Sequence, residues 1–196
     1  LVAGAIGGGI WIWKELLEDR LIPKRFGVVT EGLVYRSGQL HPALVERVLR
    51  EHEIDLIIDL DPDETQAARA ESEAAEQLGI RCQLFPLIGD GTGDAEQYVL
   101  AIRGLVEASR AGERVLVHCA AGSSRTGGVL AMYRVLVEGW STSRAKQEMM
   151  EFDWRPGDGR LLRFLNANMG VVAERLVECG VIARVPEPLP RFPEPR

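Results

Sequence analysis

What most limits the folds open to this chain is its alternation, from Phe26 onward, of short apolar runs with amphipathic stretches of helical period. Brief runs of branched apolar residues bounded by charge suit buried strands, and the helical stretches between them supply the crossovers that parallel strands require. Val28-Val29 and Leu33-Val34-Tyr35 predict two short strands around a Glu31-Gly32 turn. Pro42 to Glu51 predicts a helix that buries Leu44, Val45, Val48 and Leu49 on one face. Ile54 to Leu60 predicts a buried strand. Asp61-Pro62-Asp63-Glu64 then predicts a helix start, with Asp61 as N-cap, Pro62 at the first position and Glu64 two residues on. That helix is expected to end at Gly79.

Ile80 to Phe85 predicts the next strand, followed by a loop with Gly89, Gly91 and Gly93. Asp94, with Gln97 three residues on, caps a helix reaching about Ala111. Val115 to His118 predicts a strand, Thr126 to Glu138 a helix stopped by Gly139, and two further helices cover Thr142 to Glu151 and Gly159 to Cys179. The fold class that follows is α/β, with a mainly parallel central sheet flanked by helices on both faces.

The two ends differ from this body. Residues 1 to 13 carry no charge, end in Trp11 and Trp13, and are followed by Lys14, Arg20, Lys24 and Arg25. Thirteen residues are too few to cross a bilayer, yet aromatic residues beside a basic flank suit the cytoplasmic end of an anchor. The run reads either as part of a membrane anchor, with the body on the cytoplasmic side, or as an amphipathic or buried segment. Pro186 to Arg196 holds five prolines in eleven residues and predicts an extended, mobile tail. The expected division is a leader at 1–25, a folded body at 26–180 and a tail at 181–196.

Composition narrows the partners. Twenty-three basic against 29 acidic residues give a net charge of −6, which disfavours nucleic acid as a ligand. Cys82, Cys119 and Cys179 are too far apart for a zinc or disulfide framework, so neither metal nor cofactor is expected.

The chemistry concentrates between His118 and Thr126. A strand, a short glycine-containing loop and a helix aim backbone N–H groups and a helix N-terminus at an anion. Cys119 begins that loop, where converging dipoles favour the nucleophilic thiolate. Ala120, Ala121, Gly122, Ser123 and Ser124 supply the phosphate-facing backbone, and Arg125 offers a planar fork for two phosphate oxygens. Thr126 is within local reach of the sulfur.

The string His-Cys-Ala-Ala-Gly-Ser-Ser-Arg-Thr-Gly resembles the signature of the cysteine-dependent protein tyrosine phosphatase superfamily. Gly32-Leu-Val-Tyr-Arg-Ser-Gly-Gln39 is similar to a segment of its small dual-specificity members. The resemblance implies hydrolysis of a phosphorylated protein or small phosphomonoester in two steps through a phosphocysteine, without metal. It makes Cys119 the nucleophile and Arg125 the phosphate ligand and transition-state stabiliser. Thr126 assists the sulfur, and His118 supports the loop by hydrogen bonds.

A general acid is also needed. Asp94 is committed to capping, whereas Asp90 lies between two glycines, 119 − 90 = 29 residues before the cysteine, close to the spacing of the superfamily. Asp90 is therefore preferred and Asp94 kept as the alternative. None of Ala120, Ala121, Ser123 and Ser124 is basic, which favours substrates with one phosphate such as phosphotyrosine, though Arg36 or Arg155 could line the rim. The competing readings are a phosphoinositide phosphatase, a non-catalytic phosphate-binding module and a rhodanese-like sulfur transferase. Cys82 is the candidate partner for an oxidised Cys119, should their strands adjoin.

Overall fold

The runs at 34–38, 56–58 and 115–119 are buried on both sides, so they form the middle layer of a sandwich with helices above and below. The computed structural model describes residues 18–157 and 159–194. The strands are β1 (Gly27–Thr30), β2 (Val34–Gly38), β3 (Leu56–Asp59), β4 (Arg81–Leu84) and β5 (Val115–Cys119). They form one sheet in the order β1-β2-β5-β3-β4, antiparallel between β1 and β2 and parallel elsewhere. After a short helix α1 (Glu18–Leu21), the helices are α2 (Pro42–Glu51), α3 (Gln66–Leu78), α4 (Ala95–Arg110), α5 (Ser124–Leu136), α6 (Thr142–Glu151) and α7 (Arg160–Glu178).

The period of two along central β5 sorts its side chains between two cores. Val115, Val117 and Cys119 join the larger one beneath α4, α5 and α7, while Leu116 joins the smaller one beneath α2 and α3. The expected α/β class, with helices on both faces, is what the chain adopts. Helix α2 buries the four residues that its periodicity selects, Leu44, Val45, Val48 and Leu49.

Three expectations need correction. Helix α3 starts at Gln66 under a Thr65 cap, whose hydroxyl accepts the Ala68 N–H at 3.1 Å; Asp61 does not cap it. The Asp61 carboxylate is instead drawn into the site described below. The tail is not loose over its described part: Phe192 is buried in the main core, and Asn166 accepts its N–H and donates to its carbonyl. Cys82 lies exposed on edge strand β4, and β3 separates that strand from β5, so no pairing with buried Cys119 is set up. The apolar leader at 1–13 lies outside the described residues. Among those that are described, no helix is long and apolar enough to cross a membrane.

Candidate active site

The site forms where β5 ends, at the carboxyl edge of the parallel strands, the edge at which open α/β sheets bind ligands. Its neighbours there are the ends of β2 and β3, with Gly38 in register with Cys119 and Asp59 with His118. Cys119 is buried at the loop floor, while Ala120 beside it is exposed. The loop carbonyls are held from outside: Gln39 N–H donates to Ala120 O at 3.1 Å, Arg25 to Ala121 O at 2.8 Å and Arg36 to Gly122 O at 2.8 Å. With its carbonyls engaged behind it, the loop can turn N–H groups inward, as Gly122 does toward Cys119 Sγ at 3.2 Å.

Gly122 has φ +74°, and a Cβ there would come within 2.5 Å of Gly38 N and 2.6 Å of the Ser37 carbonyl. Gly38 reciprocates, since its own Cβ would meet the Ala121 backbone at 3.0 Å. The close approach of these two glycines lets β2 back the loop. Arg36, expected at the rim, is buried under the loop with its guanidinium 3.8 Å above the Phe152 ring. Burial lowers its pKa to about 10, against the opposing pull of Glu148 and Cys119, so it remains a cation at neutral pH.

Arg125 lies in the first turn of α5 and is also buried. Both its Nη atoms meet Asp61, Nη1 to Oδ1 at 2.6 Å and Nη2 to Oδ2 at 3.0 Å. Oδ2 of Asp61 further accepts the Ala120 N–H at 2.9 Å. Asp61 is thus a residue of the site that the motif reading missed. Its position at the end of a strand adjoining the cysteine strand was the available signal, but the Asp-Pro-Asp-Glu sequence imitates a helix start.

Burial alone would push the Cys119 thiol up; the hydroxyl and N–H of Thr126, the Gly122 N–H and Arg125 outweigh it and hold the thiol below its ordinary value. The Thr126 hydroxyl is fully buried and has no directed hydrogen-bond partner, which leaves it available to the sulfur. Ser123 precedes α5 without a side-chain cap, and Ser124 begins it. A sulfur whose thiol is held below its ordinary value beside a guanidinium can attack an electrophilic phosphorus.

His118 sends no side-chain hydrogen bond to the loop, contrary to what the resemblance implies. The ring points to the opposite face, with Nε2 2.8 Å from Glu71 Oε1 and Nδ1 3.7 Å from Asp59 Oδ1. The Nε2 approach lacks the angle of a directed hydrogen bond and the Nδ1 approach is too long for one, so the ring meets both carboxylates through charge when it is protonated. Asp59, Glu71 and His118 are also the group, among the described residues, whose donor atoms lie close enough to consider a metal ion. The carboxylates stand at opposite ring nitrogens, an arrangement that suits an imidazolium better than a shared ion.

Asp90 borders a cavity of about 270 Å³ shared with Ser124, Trp154, Arg155 and Arg160. Its loop rests against the start of α5, since a Cβ on Gly91 would meet Ser124 O at 2.9 Å. The Asp90 carboxylate accepts the Thr92 hydroxyl and N–H at 2.7 and 2.9 Å and Arg160 at 3.2 Å, which hold it below the usual carboxylate range. Asp94 caps α4 through Glu96 N–H as expected. Both aspartates therefore have partners, and what distinguishes Asp90 is its place beside Ser124.

Comparison with known proteins agrees with this architecture. The family model "polymorphic toxin system, DSP-PTPase phosphatase" matches residues 36–139. The dual specificity protein phosphatase TpbA of Pseudomonas aeruginosa is 38% identical over 73 residues, 37% of this chain and 33% of that protein. The match thus spans a third of that relative's length. The crystal structure of TpbA superposes with a TM-score of 0.63 at 21% identity, over 80% of this chain and 91% of that one. The catalytic core of the PP-IP phosphatase Siw14 from S. cerevisiae, solved with citrate, gives 0.67 at 18% identity, over 82% and 94%. At those identities the structural likeness concerns the fold. The family match covers more than half of the chain and includes the whole cysteine loop with its β2 and β3 supports, so this chain belongs to the dual-specificity phosphatase family of the cysteine-dependent protein tyrosine phosphatase superfamily.

Proposed function

We propose that the chain hydrolyses phosphomonoesters, phosphotyrosine foremost and phosphoserine or phosphothreonine in addition, through a phosphocysteine on Cys119. The observation that carries this reading is the sulfur held toward thiolate at the loop floor with Arg125 beside it. The Cys119 thiolate attacks phosphorus, and the bond to the ester oxygen breaks as Asp90 gives that oxygen a proton. Water then attacks the phosphocysteine and passes a proton to Asp90. The sulfur–phosphorus bond breaks, and phosphate leaves. Arg125 and the backbone from Ala120 to Ser124 hold the equatorial oxygens through both steps.

A second reading, a phosphoinositide phosphatase, is favoured by Arg155 and Arg160 in the cavity beside Ser124, where a further phosphate could be met. An anchor at residues 1–13 would bring lipid headgroups within reach of a cytoplasmic body. Phosphate release from phosphotyrosine and phosphoserine peptides and from phosphoinositides, with wild type and C119S, separates the readings. Phosphotyrosine turnover that C119S abolishes is expected. No release from any substrate by wild type would overturn the phosphatase reading, and preference for inositides would select the second one.

A further inference from the structure

Behind the catalytic loop, on the α2–α3 side of the sheet, lies a charged cluster that the chemistry so far does not use. His118 is fully buried, the side chain of Glu71 is 5% exposed, and that of Asp59 is 20% exposed. Helix α3 buries only two of its residues, Ala75 and Glu71. Placing a carboxylate at one of two buried positions is unfavourable for stability, since apolar packing of the same volume is often better. Such a residue calls for a role other than filling space.

The cluster reaches both reactive groups. His118 is the backbone neighbour of Cys119. Asp59 stands in register with His118 across β3 and β5, and its Oδ1 also accepts the Asp61 N–H at 2.9 Å. Asp61 in turn holds Arg125 and the Ala120 N–H. A continuous path thus runs from Glu71 through His118 and Asp59 to the loop. We propose that Glu71 is a positioning residue which, through His118 and Asp59, keeps a positive charge behind Cys119 and fixes the turn that presents Asp61 to Arg125. The proposal rests on the reading of Cys119 as the nucleophile.

The surrounding charges give the direction of the effect. Burial opposes a charged His118, but Glu71, Asp59 and Cys119 lift its pKa to about 9. Asp59 is raised, by burial first, then by Glu71 and Asp61, with His118 and the Asp61 N–H opposing. Cys82, an exposed residue of β4, adds a partly shielded thiol on the same side, which that shielding, Glu71 and Asp59 keep protonated, its pKa raised to about 11. Because charge coupling is mutual, an imidazolium that gains from the Cys119 thiolate also stabilises that thiolate. Removing the Glu71 charge lowers the His118 pKa by taking away the largest cause that raises it, and the thiolate loses that support.

Glu71→Gln keeps the shape and removes the charge. The pH dependence of Cys119 alkylation by iodoacetamide, followed on the Cys119 peptide by mass spectrometry, reads the thiolate without any turnover. In E71Q its midpoint should rise by roughly one pH unit, making alkylation roughly tenfold slower at pH values below both midpoints. An E71Q midpoint equal to that of wild type overturns the proposal. In the wild-type protein, nitrogen NMR of the His118 ring should show both nitrogens protonated at pH 7.5, and a neutral ring there overturns it even if E71Q does not fold. Absence of phosphate release from wild type would instead strike the phosphatase reading, so the two failures are distinguishable.

Discussion

The two Nη atoms of Arg125 lie 2.6 and 3.0 Å from the two carboxylate oxygens of Asp61, a bidentate pair that joins the start of α5 to the segment just after β3. Two of the five guanidinium N–H donors are thereby committed, which fixes the plane of the fork and leaves the others for Cys119 and phosphate. Asp61→Asn keeps the size but loses the charge, so kcat/KM on a phosphotyrosine peptide should fall roughly 10- to 100-fold, the scale of a misplaced catalytic group. Stability should respond to pH as well. Burial raises the Asp61 carboxyl, but Arg125 and the N–H groups of Asp63 and Ala120 bring it below the usual carboxylate range. A depressed native pKa contributes stability above the unfolded value, about 4, and loses it as pH falls through the native value. The gap in urea midpoint between wild type and D61N should be full at pH 7 and narrow progressively below about pH 4. A gap that stays constant into strong acid would show that the ion pair is not its source.

Asp61 also shows where sequence reading stops. Helix α2 was legible because its burial pattern is local, four apolar residues on one face. The loop from Cys119 to Arg125 was legible for the same reason: strand, left-handed glycine and helix start lie within ten residues. Asp61 reads locally as a cap, and a guanidinium 64 positions later overrides that local preference. Arg36 and His118 were misplaced by similar logic, because a strand alternates its faces and only the assembled sheet shows which face meets Phe152 or Glu71. The tail is proline-rich in composition, but its fate depends on Asn166 of a distant helix.

Two glycines with nearly equal φ should respond differently to alanine. Gly139 has φ +71°, and a Cβ placed there would meet nothing within 4 Å, so G139A should cost only the left-handed penalty of about 1 kcal/mol. Gly122 combines φ +74° with backbone of Ser37 and Gly38 inside 2.6 Å. G122A must displace β2 or the loop, and phosphatase activity should be lost while G139A retains it. Equal activities in the two variants would mean that the loop does not need its close approach to β2.

Asp90 must carry a proton to act as the acid, yet Thr92 and Arg160 favour its ionised form. Removing the cation in R160A should raise the Asp90 pKa, so the descending basic limb of the pH profile should move to higher pH. D90A should lose roughly 100-fold on substrates with poor leaving groups and little on good ones. D94A should show mainly a stability loss of about 1 kcal/mol from the missing cap. The opposite pattern, with D94A sensitive to the leaving group and D90A not, would transfer the acid role to Asp94.

The tail offers a stability test independent of the catalytic chemistry. Phe192 is only 2% exposed, Asn166 brackets it by accepting its N–H at 2.7 Å and donating to its carbonyl at 3.0 Å, and α6 adds bonds from Thr142 to Arg191 O and from Lys146 to Pro193 O. A buried phenylalanine truncated to alanine loses about 3 kcal/mol, which in a domain of this size lowers Tm by roughly 6 to 12 °C. Asn166→Ala removes the bracket and should cost about 1 to 2 kcal/mol. Because Asn166 acts through the placement of Phe192, the double variant should lose less than the sum of the singles. Calorimetric scans of F192A, N166A and the pair decide the matter. Strict additivity would separate the two residues, and an unchanged Tm in F192A would mean that the segment is not docked in solution.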